Sequence, residues 1–136
     1  MKTLEEIKSS LETLKPTLRE RFGVETIGLF GSYTRGEQTK KSDIDILVTF
    51  SKGAQIGFFK FLELEEFLTK KFGVKVDLVT KNALKPFIKE RVLRETVYAL
   101  KGLSSLYSGY FGINQKNQSI FGRINVSAIF KRYQNN

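Results

Sequence analysis

The sequence predicts an α/β (α+β) fold: a small mixed β-sheet covered by helices. Three observations carry this reading. Apolar residues recur at spacings of three and four in separate stretches, the first two of which end in a glycine, as amphipathic helices do. Short runs rich in Val, Ile, Leu and Thr fall between those stretches and read as strands. The resulting order is helix, strand, strand, helix, strand, helix, with a last short strand, and that mixture places helices over a sheet with acidic residues at strand ends. Strand order is not legible at this level.

In chain order, Leu4, Ile7, Leu11, Leu14, Leu18 and Phe22 form one apolar face, which Pro16 should kink or divide and Gly23 should end. Thr26 to Phe30 is a short buried strand, and Gly31-Ser32 is its sharp exit into a short helix. Ile44 to Phe50, rich in β-branched residues, is a second strand, closed by the turn-type residues Ser51 to Ala54. Phe58, Phe59, Phe61, Leu62, Leu64, Phe67, Leu68 and Phe72 mark a second, strongly apolar helix stopped by Gly73. Lys75 to Thr80 is a brief strand in which Asp77 is flanked by aliphatics. Asn82 is a candidate cap for a helix over 84–94, with Pro86 in its first turn and Phe87, Ile88, Val92 and Leu93 toward the core. Val97 to Leu100 completes the regular pattern.

The 136 residues suffice for one domain, 1–100, with an appendage, 101–136, and leave no room for a separate domain to bind a large substrate. The formal charge is +9, and it is uneven: all 14 acidic residues precede Leu100, whereas five of the 23 basic ones follow it. Histidine and cysteine are both absent, which excludes the usual zinc ligand sets, Ser-His triads, thiol nucleophiles and disulfides. Chemistry here must run on carboxylates and a hard metal. Glu5 and Glu6 stand where a signal sequence would be apolar, and no run approaches a membrane span, so a cytoplasmic protein is expected, with no membrane partner.

Strand alternation puts Asp43 and Asp45 on one face, roughly 7 Å apart at the backbone, and Ile44 and Ile46 on the other. The paired acids look across at Gly31-Ser32. Backbone N–H groups of such a turn can hold triphosphate oxygens while carboxylates hold the bridging Mg²⁺. Gly31 and Gly36 also have the glycine spacing of a Walker-type phosphate loop, but Glu37 and Gln38 occupy the positions where Lys and Ser or Thr are required. With Asp43 and Asp45 paired, Asp77 reads as a third carboxylate instead of an edge charge. Three acids without histidine repel one another unless cations are present, and two Mg²⁺ ions about 4 Å apart are the usual resolution at nucleotidyl-transfer sites.

The Gly31-Ser32, ten-residue gap, Asp43-Ile44-Asp45 pattern, with Asp77 on a later strand, resembles the nucleotidyltransferase superfamily that includes DNA polymerase β and kanamycin nucleotidyltransferase. In length and in the wording of residues 30–36 and 42–48 it is most similar to the minimal nucleotidyltransferases, the MntA-type antitoxins encoded beside HEPN-domain ribonuclease toxins. The resemblance covers roughly residues 1–100. It implies a nucleotidyltransferase-like fold and Mg²⁺-dependent transfer of AMP from ATP onto a tyrosine of a cognate HEPN toxin. It also implies roles: Gly31 and Ser32 contact the nucleotide phosphates, Asp43 and Asp45 bind metal, and Asp77 is the third catalytic carboxylate and metal ligand.

The tail departs from that pattern. Tyr107, Tyr110, Phe111, Phe121, Phe130 and Tyr133 interleave with Lys116, Arg123, Lys131 and Arg132, which reads either as a partly ordered extension or as a surface for single-stranded nucleic acid. Two alternatives to protein modification therefore stay open: an antitoxin that neutralises by contact alone, and an enzyme acting on an RNA 3′ hydroxyl.

Overall fold

The computed structural model describes residues Lys2–Lys101; the expected aromatic extension lies, from Gly102 on, outside the described residues. The chain opens with α1 (Leu4–Thr13), where Thr3 and Glu6 form a reciprocal capping box: the Glu6 amide donates to Thr3 Oγ1 and the Thr3 amide to Glu6 Oε2. Pro16 divides the helical stretch, because a proline is tolerated only in a first turn, and α2 (Lys15–Phe22) starts there. The stripe keeps its face across the break: Ile7, Leu11, Leu18 and Phe22 are fully buried, with Leu4 and Leu14 packed beside them. Gly23 then turns left-handed and ends α2.

The strand β1 (Val24–Phe30) begins two residues before the expected start at Thr26. A four-residue helix α3 (Ser32–Arg35) follows, then β2 (Ile44–Phe50), α4 (Phe58–Phe72) and β3 (Val76–Thr80). The chain continues through a single 3₁₀ turn (Lys81–Ala83), α5 (Pro86–Glu95) and β4 (Val97–Leu100). The sheet order is β3-β2-β1-β4, with β1 antiparallel to both β2 and β4, and β2 parallel to β3. The parallel pair requires a crossover, and α4 supplies it. The core lies on one sheet face, where Ile7, Leu11, Leu18, Phe22, Leu64 and Leu68 meet Ile27, Leu29, Ile44, Ile46 and Val48.

Three expectations need correction. Asn82 does not cap a helix; it lies in the 3₁₀ turn, and α5 starts at Pro86 behind an extended Lys85. The reason is Pro86, whose ring disfavours helical geometry in the residue before it, so no helix can run in from Leu84. Phe87 faces solvent at 81% exposure, and Val92 is the buried residue of α5. Phe58 and Phe59, in the first turn of α4, are likewise 70% and 83% exposed. Among the described residues no helix is long and apolar enough to cross a membrane.

Candidate active site

Alternation along β2 separates two environments. Ile44, Ile46 and Val48 are fully buried in the core, whereas Asp45 projects from the opposite face. In the parallel ladder Asp45 lies directly opposite Asp77, so the two carboxylates emerge side by side from neighbouring strands. In the antiparallel ladder Asp45 lies opposite Phe30, the residue before Gly31. Asp43 precedes β2, with its Oδ2 3.9 Å from Lys75 Nζ. Asp77 is exposed, Asp45 only partly so.

Gly31 is required twice over. Its backbone, at φ +78° and ψ −151°, lies in a region essentially restricted to glycine. A Cβ at this position would stand 2.2 Å from Asp45 Oδ2 and 3.0 Å from Asp45 Cγ. The Asp45 carboxylate therefore packs against the bare α-carbon, and Ser32 begins α3 next to it. All five residues predicted for the site fall at one end of the sheet: where β1 ends, and where β2 and β3 begin.

This crowding has an electrostatic consequence. Burial, then Asp77 and Asp43, push the Asp45 carboxyl up to about 6, with Glu95 adding to the rise and Arg35 opposing it. The local negative charge is thus only partly balanced by the chain's own cations. Oxygen donors of this kind suit a hard divalent cation such as Mg²⁺, and the excess charge around Asp45 fits one. The expected three-carboxylate group is not closed, however: among the described residues no three His, Cys, Asp or Glu side chains are grouped to hold a metal ion. Asp43, in the approach to β2, has Lys75 beside it and still raises the Asp45 carboxyl.

Sequence reasoning missed Glu95, the last residue of α5. Its Oε1 accepts from the Gly31 amide at 2.9 Å and from Arg35 Nη1 at 2.6 Å, and lies 3.1 Å from the Thr34 hydroxyl. Arg35 Nε also donates to Glu37. Arg35 is thus occupied by both Glu37 and Glu95. The available signal was positional: an acid ends α5, at the helix terminus where the backbone dipole favours a cation.

A mixed sheet with paired aspartates beside a Gly-Ser turn defines a nucleotidyltransferase scaffold, and residues 11–99 match the nucleotidyltransferase domain family. The chain belongs to that family. It is 55% identical over 98 residues to the protein adenylyltransferase MntA of Thermococcus cleftensis, covering 72% of this chain and 97% of that one. Among solved structures it is similar to a candidate minimal nucleotidyltransferase, with 33% identity and a TM-score of 0.58, over 71% of this chain and 95% of the other. It also shares its fold with a chain from the complex of the tri-AMPylated Shewanella oneidensis HEPN toxin with its MNT antitoxin. There the identity is 20% and the TM-score 0.52, over 85% and 96% of the two chains.

Proposed function

We propose that this chain is a Mg²⁺-dependent antitoxin that transfers AMP from ATP to a tyrosine of a cognate HEPN-domain ribonuclease toxin in the cytoplasm. The observation that carries the reading is the register of Asp45 with Asp77 on one face, against Gly31. The name and 55% identity of the Thermococcus relative support adenylylation of a protein over other transfers.

In this reading the Gly31-Ser32 turn receives the triphosphate: the bare Gly31 α-carbon permits close approach while its amide stays on Glu95, Ser32 supplies the donors, and the turn aligns the α-phosphorus for in-line attack. Asp43, Asp45 and Asp77 would hold Mg²⁺, which would supply charge neutralisation for the phosphates and favour the ionised hydroxyl, with Asp77 serving the nucleophile side. The tyrosine oxygen forms a bond to the α-phosphorus as the bond to the β-phosphate oxygen breaks; the phenolic proton goes to solvent and pyrophosphate leaves. Exposure of Asp77 leaves that side of the site open to a macromolecular acceptor. Residues 1–100 form the catalytic unit, and 101–136 are accessory.

Intact-mass spectrometry tests the proposal: the full-length chain, incubated with Mg²⁺, ATP and the HEPN protein encoded beside it, should add AMP to a tyrosine of that protein. A toxin that is neutralised yet unmodified would instead establish the contact-only antitoxin. AMP on an RNA 3′ end would establish the nucleic-acid alternative.

A further inference from the structure

The turn that approaches Asp45 is held from outside its own strand. Gly31 occupies a sparsely populated backbone region, and such a conformation persists only where its surroundings over-determine it. Part of the restraint is local: the Thr34 amide and hydroxyl lie 3.1 and 2.7 Å from the Gly31 carbonyl. The Gly31 amide, however, is bound by Glu95, across 64 residues of sequence. The Glu95 side chain is 14% exposed, and the same oxygen takes Arg35 Nη1 and lies within reach of the Thr34 hydroxyl. One carboxylate oxygen thus meets both ends of the segment 31–35.

Simple stapling of α5 to the sheet does not explain this arrangement. An acid at a helix C-terminus opposes the backbone dipole, so Glu95 would be a poor choice there unless something else required a carboxylate. What it touches is the polar backbone and side chains of the turn, through charge-assisted bonds, and no apolar contact is needed for them. The bonds also leave the Asp45 carboxylate facing the bare Gly31 α-carbon.

We infer that Glu95 is a positioning residue for nucleotide binding: its carboxylate fixes the Gly31–Arg35 segment in the form that presents the turn beside Asp45. Its role runs through the turn residues it contacts, Gly31 and Arg35. This rests on the nucleotide reading above, and the test separates the two.

Amide hydrogen exchange and Mg-ATP calorimetry are run on the full-length chain, on Glu95→Ala and on Glu95→Gln. In Glu95→Ala the Gly31 amide should exchange at least about tenfold faster while the Ile7 and Leu11 amides keep their rates, because the loss is local. Its Kd for Mg-ATP should rise about 10- to 100-fold, the usual scale for an outer partner that orients binding groups. Glu95→Gln keeps an acceptor for the Gly31 amide, so protection should be restored and Kd should return to within about threefold of wild type. Unchanged Gly31 exchange in Glu95→Ala would overturn the inference. So would parallel acceleration of the core amides, which would make Glu95 a general staple, or a Glu95→Gln variant as impaired as Glu95→Ala. A wild type that does not bind Mg-ATP would sink the nucleotide reading itself, and the exchange pattern alone would then decide whether Glu95 holds the turn.

Discussion

The two faces of β2 are built from adjacent residues and obey opposite rules. Ile44, Ile46 and Val48 lie at zero exposure against α1, α2 and α4, where every buried methyl group stabilises the fold. One residue along, Asp45 sits partly buried beside Asp77 with Asp43 near, an arrangement that raises its own free energy when it is charged. The core face makes the strand stable, and that stability lets the other face hold charges that repel. Stability and chemistry should therefore respond in opposite directions to substitutions one position apart.

The largest effect expected from that contrast is on transfer. Asp45→Asn should lose at least about a hundredfold in AMP transfer, together with Mg-ATP binding, because it removes the acid that meets both Asp77 and the turn. Ile46→Ala should do the reverse: it should cost about 2–5 kcal/mol of stability by leaving a cavity, while transfer per folded molecule changes little. Denaturant melts beside a transfer assay check both. If Ile46→Ala kills activity while fully folded, or if Asp45→Asn transfers normally, the separation of the two faces is wrong.

Asp77 sharpens the comparison within the charged face. Asp43→Asn and Asp45→Asn should each lose binding and transfer together, whereas Asp77→Asn should still bind Mg-ATP and transfer almost nothing. It should also melt no lower than wild type in chelator, since one of the charges crowding Asp45 is gone. Calorimetry with and without Mg²⁺ provides a readout independent of turnover: Mg²⁺ should stabilise wild type more than Asp77→Asn, because a ligand bound only by the folded state adds stability by mass action. A fully active Asp77→Asn variant, or one that melts well below wild type in chelator, would make Asp77 a structural acid.

The legible features were those set by short-range rules. Residue alternation put Asp45 and Ile46 on opposite faces, a proline cut the first helical stretch, and glycines ended α2 and α4. Asp77 reads as a third carboxylate because it is an acid among aliphatics, whereas its place directly opposite Asp45 depends on the β2–β3 register. Glu95 offered only its odd position at the end of α5, and its contact with Gly31 exists only once α5 has returned along the sheet. Phe87 shows the converse failure, an aromatic at a plausible core position that the late start of α5 at Pro86 leaves in solvent.

The smallest expected effect tests the electrostatic half of the contrast directly. The Asp45 carboxyl stands at about 6 in the folded chain against an ordinary value of 3.8, so the folded state binds a proton more readily than the unfolded one. Its contribution to stability is therefore fully present below about pH 4 and is lost as pH rises through 6, above which it stays lost. A rise of about two pKa units bounds the effect at about 3 kcal/mol, and partial exposure brings it to the order of 1–2 kcal/mol, about 5–10 °C in Tm for a unit of this size. Glu63, held low by Arg21, contributes with the opposite sign, so the useful quantity is a difference. In chelator, Asp45→Asn should match wild type near pH 4 and become more stable than it by pH 7. Saturating Mg²⁺ should narrow that gap, because the ion competes with the proton for wild-type Asp45 and finds no charge on asparagine. Curves that run parallel from pH 4 to 7 would show that Asp45 carries no strain from its neighbours, and the charged face would then be no more costly than the core behind it.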